Sequence, residues 1–412
     1  MSKELAVFLH DQYAGKLRSD QAQLSFVYDA KYLIAPNARP ISANMPLRAE
    51  SYPHQTVYPF FSGLLPDEGV RYRLARYLQL SEKNIFGLLE AIGGECAGAI
   101  SVKVCNEKID LRPQYLILND AEAVEIMHSL QQRPFLVGKD EIRISAAGAQ
   151  SKLMICFIDK KIAIPKGHTP STHLIKPGIA GFDSTVQNEY FCMLLAHRIG
   201  LRTPQVSILT LLDEDFYVIE RYDRKIINDQ VQRLHQEDFC QILNIPPEIK
   251  YENEGGPTLS DCFNVLENFI SKGNMPGIDK LRLLKLVFFN YIIGNTDAHG
   301  KNFSILYSDQ GATLAPCYDL LSTFVYANEF NNKMAMKIGG EYNNTFIQRK
   351  NWEKLAISIG VKEQFLIQQL KTTAAITLKA SELLISTLDK PSVIYAKIHK
   401  VIEQQVAKIR NI

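Results

Sequence analysis

The feature that most constrains this chain is a change in the period of its apolar residues. Between residues 141 and 220 they come in short runs: "EIRISA", "KLMICFID", "KIAIP", "THLIK", "QVSILTL" and "FYVIERY". After about residue 234 they fall mostly at helical spacing, broken by one loop-and-hairpin region at 295–319. Short runs of this kind read as strands, and apolar residues three and four apart read as a buried helix face. A β-rich segment followed by a helical one is an α+β arrangement.

Turn and cap residues refine the outline. Val186, Tyr190, Leu194, Leu195 and Ile199 predict a helix over 186–199, with Gly200 at its C-terminal cap. In the first part, about 1–107, "LAVFLHDQYAGKL" predicts a hairpin with Gly15 near its turn. "YPFFSGLLPDEGVRYRLARYL" predicts two helices divided at Pro66, and "NIFGLLEAIGG" a helix stopped by glycines. Residues 106–140 are more polar and read as a connection carrying one helix, "AEAVEIMHSLQQ". The expected domains are 1–107, 108–233 and 234–412.

With 412 residues, 46% of them hydrophobic, the chain can bury a sizeable core without disulfides or structural metals. A net charge of +2 argues against an independent, high-affinity nucleic-acid binder but leaves a local basic patch open. The seven cysteines are scattered, without a CxxC pair, as in a reduced cytoplasmic protein. The start, "MSKELAVFLHDQ", is not read as a signal peptide. "LRLLKLVFFNYIIG" at 281–294 is too short for a membrane span and includes Arg282, Lys285 and Asn290, so it reads as a buried helix.

The string that carries chemistry begins where that helix stops. "GNTDAHGKNFSIL", 294–306, holds Asp297 and, five residues on, Asn302; Asp319 follows in "APCYDLLS". Phosphoryl transfer needs one carboxylate to orient the attacking hydroxyl and hard oxygen ligands to hold magnesium against the phosphates. Asp297 suits the first task, and Asn302 and Asp319 the second. The Asp-x4-Asn spacing equals that of the protein-kinase catalytic loop, although no His-Arg precedes Asp297 and no Phe-Gly follows Asp319. Alone, the same residues would read as a capped turn.

Other elements stand in kinase order. Lys176 ends the strand "THLIK" and Glu189 lies on the next helix, as a strand lysine and helix glutamate pair would. "ISAAGAQSK", 144–152, has Ala146, Ala147, Gly148 and Ala149, small enough for close backbone approach to phosphates. "VIERYDRK", 218–225, follows the last strand and suits an adenine-binding hinge, with Glu220 and Tyr222 flanking the base.

At these residues the chain resembles the HipA family of bacterial toxin serine/threonine kinases. The matching strings are "RISAAGAQSK", "IPKGHTPSTHLIK", "NEYFCMLLA", "IERYDR", "QEDFCQ", "GNTDAHGKNFS" and "APCYDLLS", and near the start "ARPISANMPLR" and "FFSGLLPDEGVR". The resemblance implies a protein-kinase-like fold: an extra N-terminal subdomain (1–107), a β-rich N-lobe with its connecting segment (108–233) and an all-helical C-lobe (234–412). It implies ATP and Mg2+ as cofactors, Asp297 as proton acceptor, and Asn302 and Asp319 as metal ligands. ATP contacts would come from Lys176; from Ala147, Gly148, Ala149, Gln150, Ser151 and Lys152; from Glu220, Arg221 and Tyr222; and from His299 and Lys301, with Tyr318 beside Asp319.

Ser145 matches the family's autophosphorylation site. A phosphoserine there would add roughly −1.5 to −2 charges beside the phosphate loop and switch the kinase off. Position 143 is Arg, so a single serine precedes the loop; Ala146 and Ser151 replace the larger aliphatic and the acidic residue common in relatives. The resemblance also implies an aminoacyl-tRNA synthetase as substrate, glutamyl-tRNA synthetase in the best-known member, with arrest of translation and growth. The implied partners are a HipB-like helix-turn-helix antitoxin and, through that complex, operator DNA, with no membrane. Two alternatives remain: a small-molecule phosphotransferase of the aminoglycoside-kinase type, and a corepressor scaffold without activity. The extra N-terminal region argues against the first, and retention of Lys176, Asp297, Asn302 and Asp319 against the second. A metal hydrolase built on Asp297 and His299 has no HExxH-type pair to support it.

Overall fold

The computed structural model describes residues 3–105, 112–137, 142, 145, 148, 150–228, 230–326 and 332–412, with Glu68 described by its backbone only. The chain forms two compact units. The first comprises Met1–Pro177, Leu209–Glu248 and Leu306–Ser308; the second comprises Gly178–Ile208, Ile249–Ile305 and Asp309–Ile412.

The first unit opens with a four-stranded antiparallel sheet in the order Gln23–Tyr28, Gln12–Asp20, Lys3–Leu9, Ile100–Val104. The first hairpin turns at His10 and Asp11, which both take positive φ, rather than near Gly15 as expected. Gly15 lies within the strand opposite Tyr28, where a Cβ would collide with the Val27 carbonyl oxygen. Its glycine is required by strand-to-strand approach and not by a turn. Helices His54–Gly63 and Glu68–Tyr77 divide around Pro66 as expected.

A second, six-stranded sheet runs in the order Gln114–Ile117, Lys161–Lys166, Leu153–Ile158, His173–Lys176, Glu214–Glu220, Val206–Leu211. One apolar cluster runs from Leu5 and Phe26 through Phe60, Phe61 and Leu89 to Leu153, Ile175 and Val218. The expected boundary at 107 therefore falls between two sheets that share a core.

The same unit holds a buried ionic cluster. Arg221 reaches Glu95 at 3.0 Å and Asp223 at 2.7 Å, Arg224 reaches Glu95 at 2.9 Å, and Arg233 reaches Glu95 and Asp11, each at 2.9 Å. Burial alone would raise the Glu95 carboxyl, but Arg224, Arg233 and Arg221 hold it far below the usual carboxylate range.

The second unit is built on helices Thr185–Arg198, Leu259–Ser271, Ile278–Ile293, Arg349–Ser358, Glu363–Thr387 and Val393–Arg410. Trp352, fully buried, packs edge-on against Phe288 and Tyr291, with ring centroids 5.5 and 5.1 Å away. Phe191 stacks on Tyr395 at 5.0 Å, so the helix assigned from sequence to 108–233 packs with the C-terminal helices. A hairpin, Lys333–Ile338 with Glu341–Asn343, interrupts the portion expected to be all-helical. No helix among the described residues is long and apolar enough to cross a membrane.

Candidate active site

Helix Ile278–Ile293 carries the chemistry-bearing loop of the second unit. Its last eight residues, 286–293, are all buried, and Gly294 ends it in the left-handed region at φ +68. A Cβ on Gly294 would meet the Phe324 ring at 2.7 Å, so glycine is demanded by conformation and by contact together. Beyond it, Asn295 Nδ2 donates to Asn290 Oδ1 at 2.9 Å, and Asn295 Oδ1 accepts from the Asp297 N–H at 3.1 Å. This is an Asx-type turn that delivers Asp297 to an exposed position.

The loop is tied to the segment that follows Asp319. Thr323 Oγ1 donates to the Gly294 carbonyl at 2.9 Å and accepts from the Thr296 N–H at 3.0 Å. Ser322 exchanges two bonds with buried Asn188: its N–H donates to Oδ1 at 2.8 Å and its carbonyl accepts from Nδ2 at 2.9 Å. Asn188 adjoins Glu189, which is buried on helix Thr185–Arg198.

A second tie joins Tyr318 to the neighbour of Asn302. Tyr318 Oη donates to the Lys301 carbonyl at 2.7 Å and lies 2.6 Å from Ser304 Oγ. Asp319 itself has φ +51, a conformation uncommon outside glycine that clusters at functional sites. Asn302 Oδ1 is buried and has no hydrogen-bond partner among the described residues. An amide oxygen in that state, near a carboxylate-bearing segment, suits a hard cation such as Mg2+. Among the described residues no group of three or more His, Cys, Asp or Glu is placed to hold a metal.

Tyr251 was not legible as a site residue. Its hydroxyl donates to Asp297 Oδ1 at 2.7 Å, and its ring meets buried His299 edge-on at 5.2 Å. It stands 46 residues from Asp297, beyond any local spacing pattern.

The first unit holds the other expected residues. Lys176 is buried at the end of its strand, opposite Tyr217, with its ammonium 5.6 Å from that ring's centroid. Gly148 accepts from the Asp67 N–H at 3.2 Å, Gln150 Nε2 donates to the Pro177 carbonyl at 3.0 Å, and Lys152 is buried. Arg73 reaches Ser151 Oγ at 3.4 Å. Ala147 and Ala149 lie outside the described residues, as do Ala146 and Arg143. Ser145 is fully buried: its hydroxyl donates to the Leu64 carbonyl and its N–H to the Glu95 carbonyl, each at 2.7 Å.

In the expected hinge, Glu220 is exposed and the Tyr222 hydroxyl bonds Gln236. The Arg221 side chain is buried, so a hinge role of this residue would fall to its backbone. Its guanidinium is enclosed by Glu95, Asp223, Ser171 and the Cys96 carbonyl, and its N–H donates to Thr172 at 2.9 Å. The reason is electrostatic: a buried cation goes where carboxylates neutralise it.

A β-rich unit and a helical unit with an added N-terminal sheet make this a protein-kinase-like fold. The chain belongs to the HipA family of serine/threonine kinase toxins: residues 144–380 match the HipA-like C-terminal domain and residues 5–103 the HipA N-terminal domain. A Sinorhizobium fredii relative named "Putative kinase Y4mE" is 42% identical over 87% of this chain and 86% of its own. The serine/threonine-protein kinase toxin HipA of Shewanella oneidensis is 29% identical over 90% of this chain and 86% of its own. Among solved structures, the Shewanella oneidensis MR-1 HipA, HipB and operator DNA complex matches with a TM-score of 0.84 at 25% identity, covering 99% of this chain and 97% of that one.

Proposed function

We propose that this chain transfers the γ-phosphate of ATP to a serine or threonine hydroxyl of a protein, with Asp297 accepting the hydroxyl proton. The observation that carries the reading is the cross-tied pair of segments 294–302 and 318–323, which supports one site built from Asp297, Asn302 and Asp319. Asn302 and Asp319 would hold Mg2+, which when bound offsets charge on the phosphates. Gly148, Gln150, Ser151 and Lys152, with Ala147 and Ala149, would hold phosphates. Lys176 with Glu189, His299, Lys301 and Tyr318 complete the set, and Glu220 and Tyr222 flank the base.

The substrate class proposed is an aminoacyl-tRNA synthetase, and the partner a HipB-like antitoxin through which operator DNA is engaged. Ser145 is the proposed autophosphorylation site. Its hydroxyl is buried on Leu64, so the phosphorylated side chain cannot keep its present place, and this supports an off-switch in which the loop is displaced. Phosphoproteomics of cells expressing the wild type beside Asp297→Gln tests the reading and names the target. Phosphosites lost in the variant are expected; identical phosphoproteomes would remove Asp297 from the mechanism. Intact mass after incubation with magnesium ATP tests Ser145, and no added phosphate counts against it.

A further inference from the structure

We infer that Tyr251 is a positioning residue that aims the Asp297 carboxylate. The inference rests on the assignment of Asp297 as the base. Asp297 is held at its N–H by Asn295, at its carbonyl by the His299 N–H at 2.8 Å, and at its side chain by the Tyr251 hydroxyl at 2.7 Å. The last of these restrains the direction of the carboxylate.

Tyr251 is itself held from several sides. Its ring packs edge-on against His299, and the Lys250 ammonium lies 5.4 Å from its centroid. The Gly300 N–H donates to the Lys250 carbonyl at 3.4 Å, and Glu252 accepts from the Lys337 N–H at 2.6 Å. The hydroxyl is therefore placed by its surroundings without needing an acceptor substrate.

The chemistry favours this role. As the acceptor oxygen bonds to the γ-phosphorus and the bond to ADP breaks, the acceptor proton passes to Asp297. A phenol that donates to one carboxylate oxygen restrains the rotation of the group and so orients the base for the acceptor hydroxyl.

The test uses the full chain, magnesium ATP and casein as the hydroxyl source, following ADP release for wild type, Tyr251→Phe and Asp297→Asn. Tyr251→Phe keeps the ring contacts and removes only the donor. Its kcat is expected to fall about tenfold, the scale of one charge-assisted hydrogen bond, with KM for ATP unchanged. An unchanged kcat, or a KM for ATP that rises in step with the loss, overturns the inference. A faster enzyme also overturns it, since the phenol would then be covering the base. An Asp297→Asn chain that still turns over ATP with casein sinks the base assignment itself.

Discussion

Thr323 Oγ1 lies 2.8 Å from Thr296 Oγ1, and the same hydroxyl bonds the Gly294 carbonyl and the Thr296 N–H. One buried oxygen thus closes the turn that presents Asp297 and pins it to the chain four residues beyond Asp319. Thr323→Val keeps the shape and deletes these bonds, leaving the buried Thr296 N–H without its acceptor, while the Gly294 carbonyl keeps the Thr323 and Phe324 N–H donors. A loss of about 1–3 kcal/mol in urea unfolding is expected, with a larger drop in turnover than in ATP affinity. Equal stability and activity would show that the tie is dispensable.

Asn302 is expected to separate function from stability. Its Oδ1 is buried without a partner among the described residues, a state that costs about 1–3 kcal/mol. Asn302→Ala removes the orphan oxygen without adding volume, so thermal stability should change little while magnesium-dependent ATP affinity falls. Calorimetry with and without magnesium reads both, and unchanged affinity would remove Asn302 from the ligand set.

Glu95 neutralises three buried arginines. Glu95→Gln removes the carboxylate the three share, leaving Asp223 and Asp11 as their remaining counter-charges, and is expected to cost about 3–5 kcal/mol, measured by chemical denaturation. A loss below about 1 kcal/mol would mean that water enters the cluster.

His235 gives a pH prediction. Burial, with His10 nearby, lowers its pKa to about 3, and its Nε2 sits 3.0 Å from the Ile41 carbonyl, which the neutral ring serves as donor. Below the ordinary histidine value the unfolded chain takes up a proton that the folded chain refuses. Stability from this group is therefore flat above about pH 6.5 and falls by up to about 1.4 kcal/mol per unit below it, down to the folded value. Urea midpoints between pH 7.5 and 5 should fall less steeply for His235→Gln than for wild type. Identical slopes would discount the group.

Local signals were the legible ones. Pro66 between two helices, the cap at Gly200 and the stop at Gly294 each follow from the conformation of one residue, so each could be placed before any contact was known. Gly15 was misplaced because a glycine needed for close strand approach looks the same in sequence as one needed for a turn. Tyr251 and the Glu95 cluster could not be found from spacing. Glu95 meets its arginines across 126 to 138 residues, and such meetings are settled by how sheets and loops pack. The Arg221 side chain shows the same limit, since its partners Glu95 and Asp223 could not be paired with it by spacing alone. The family was legible because strings such as "GNTDAHGKN" and "APCYDL" are local, so that order along the chain carries the pattern.

Glu95 also has a main-chain role, since its carbonyl holds the Ser145 N–H while its carboxylate holds residues 221, 224 and 233. A shortened gene beginning after residue 107 would strip those arginines of Glu95 and Asp11, leaving Asp223 alone to offset them, and Ser145 of its anchor in the same cut. The rest of the chain is thus not a module that can be excised and studied alone, and any shortened form of this scaffold has to carry its first hundred residues with it.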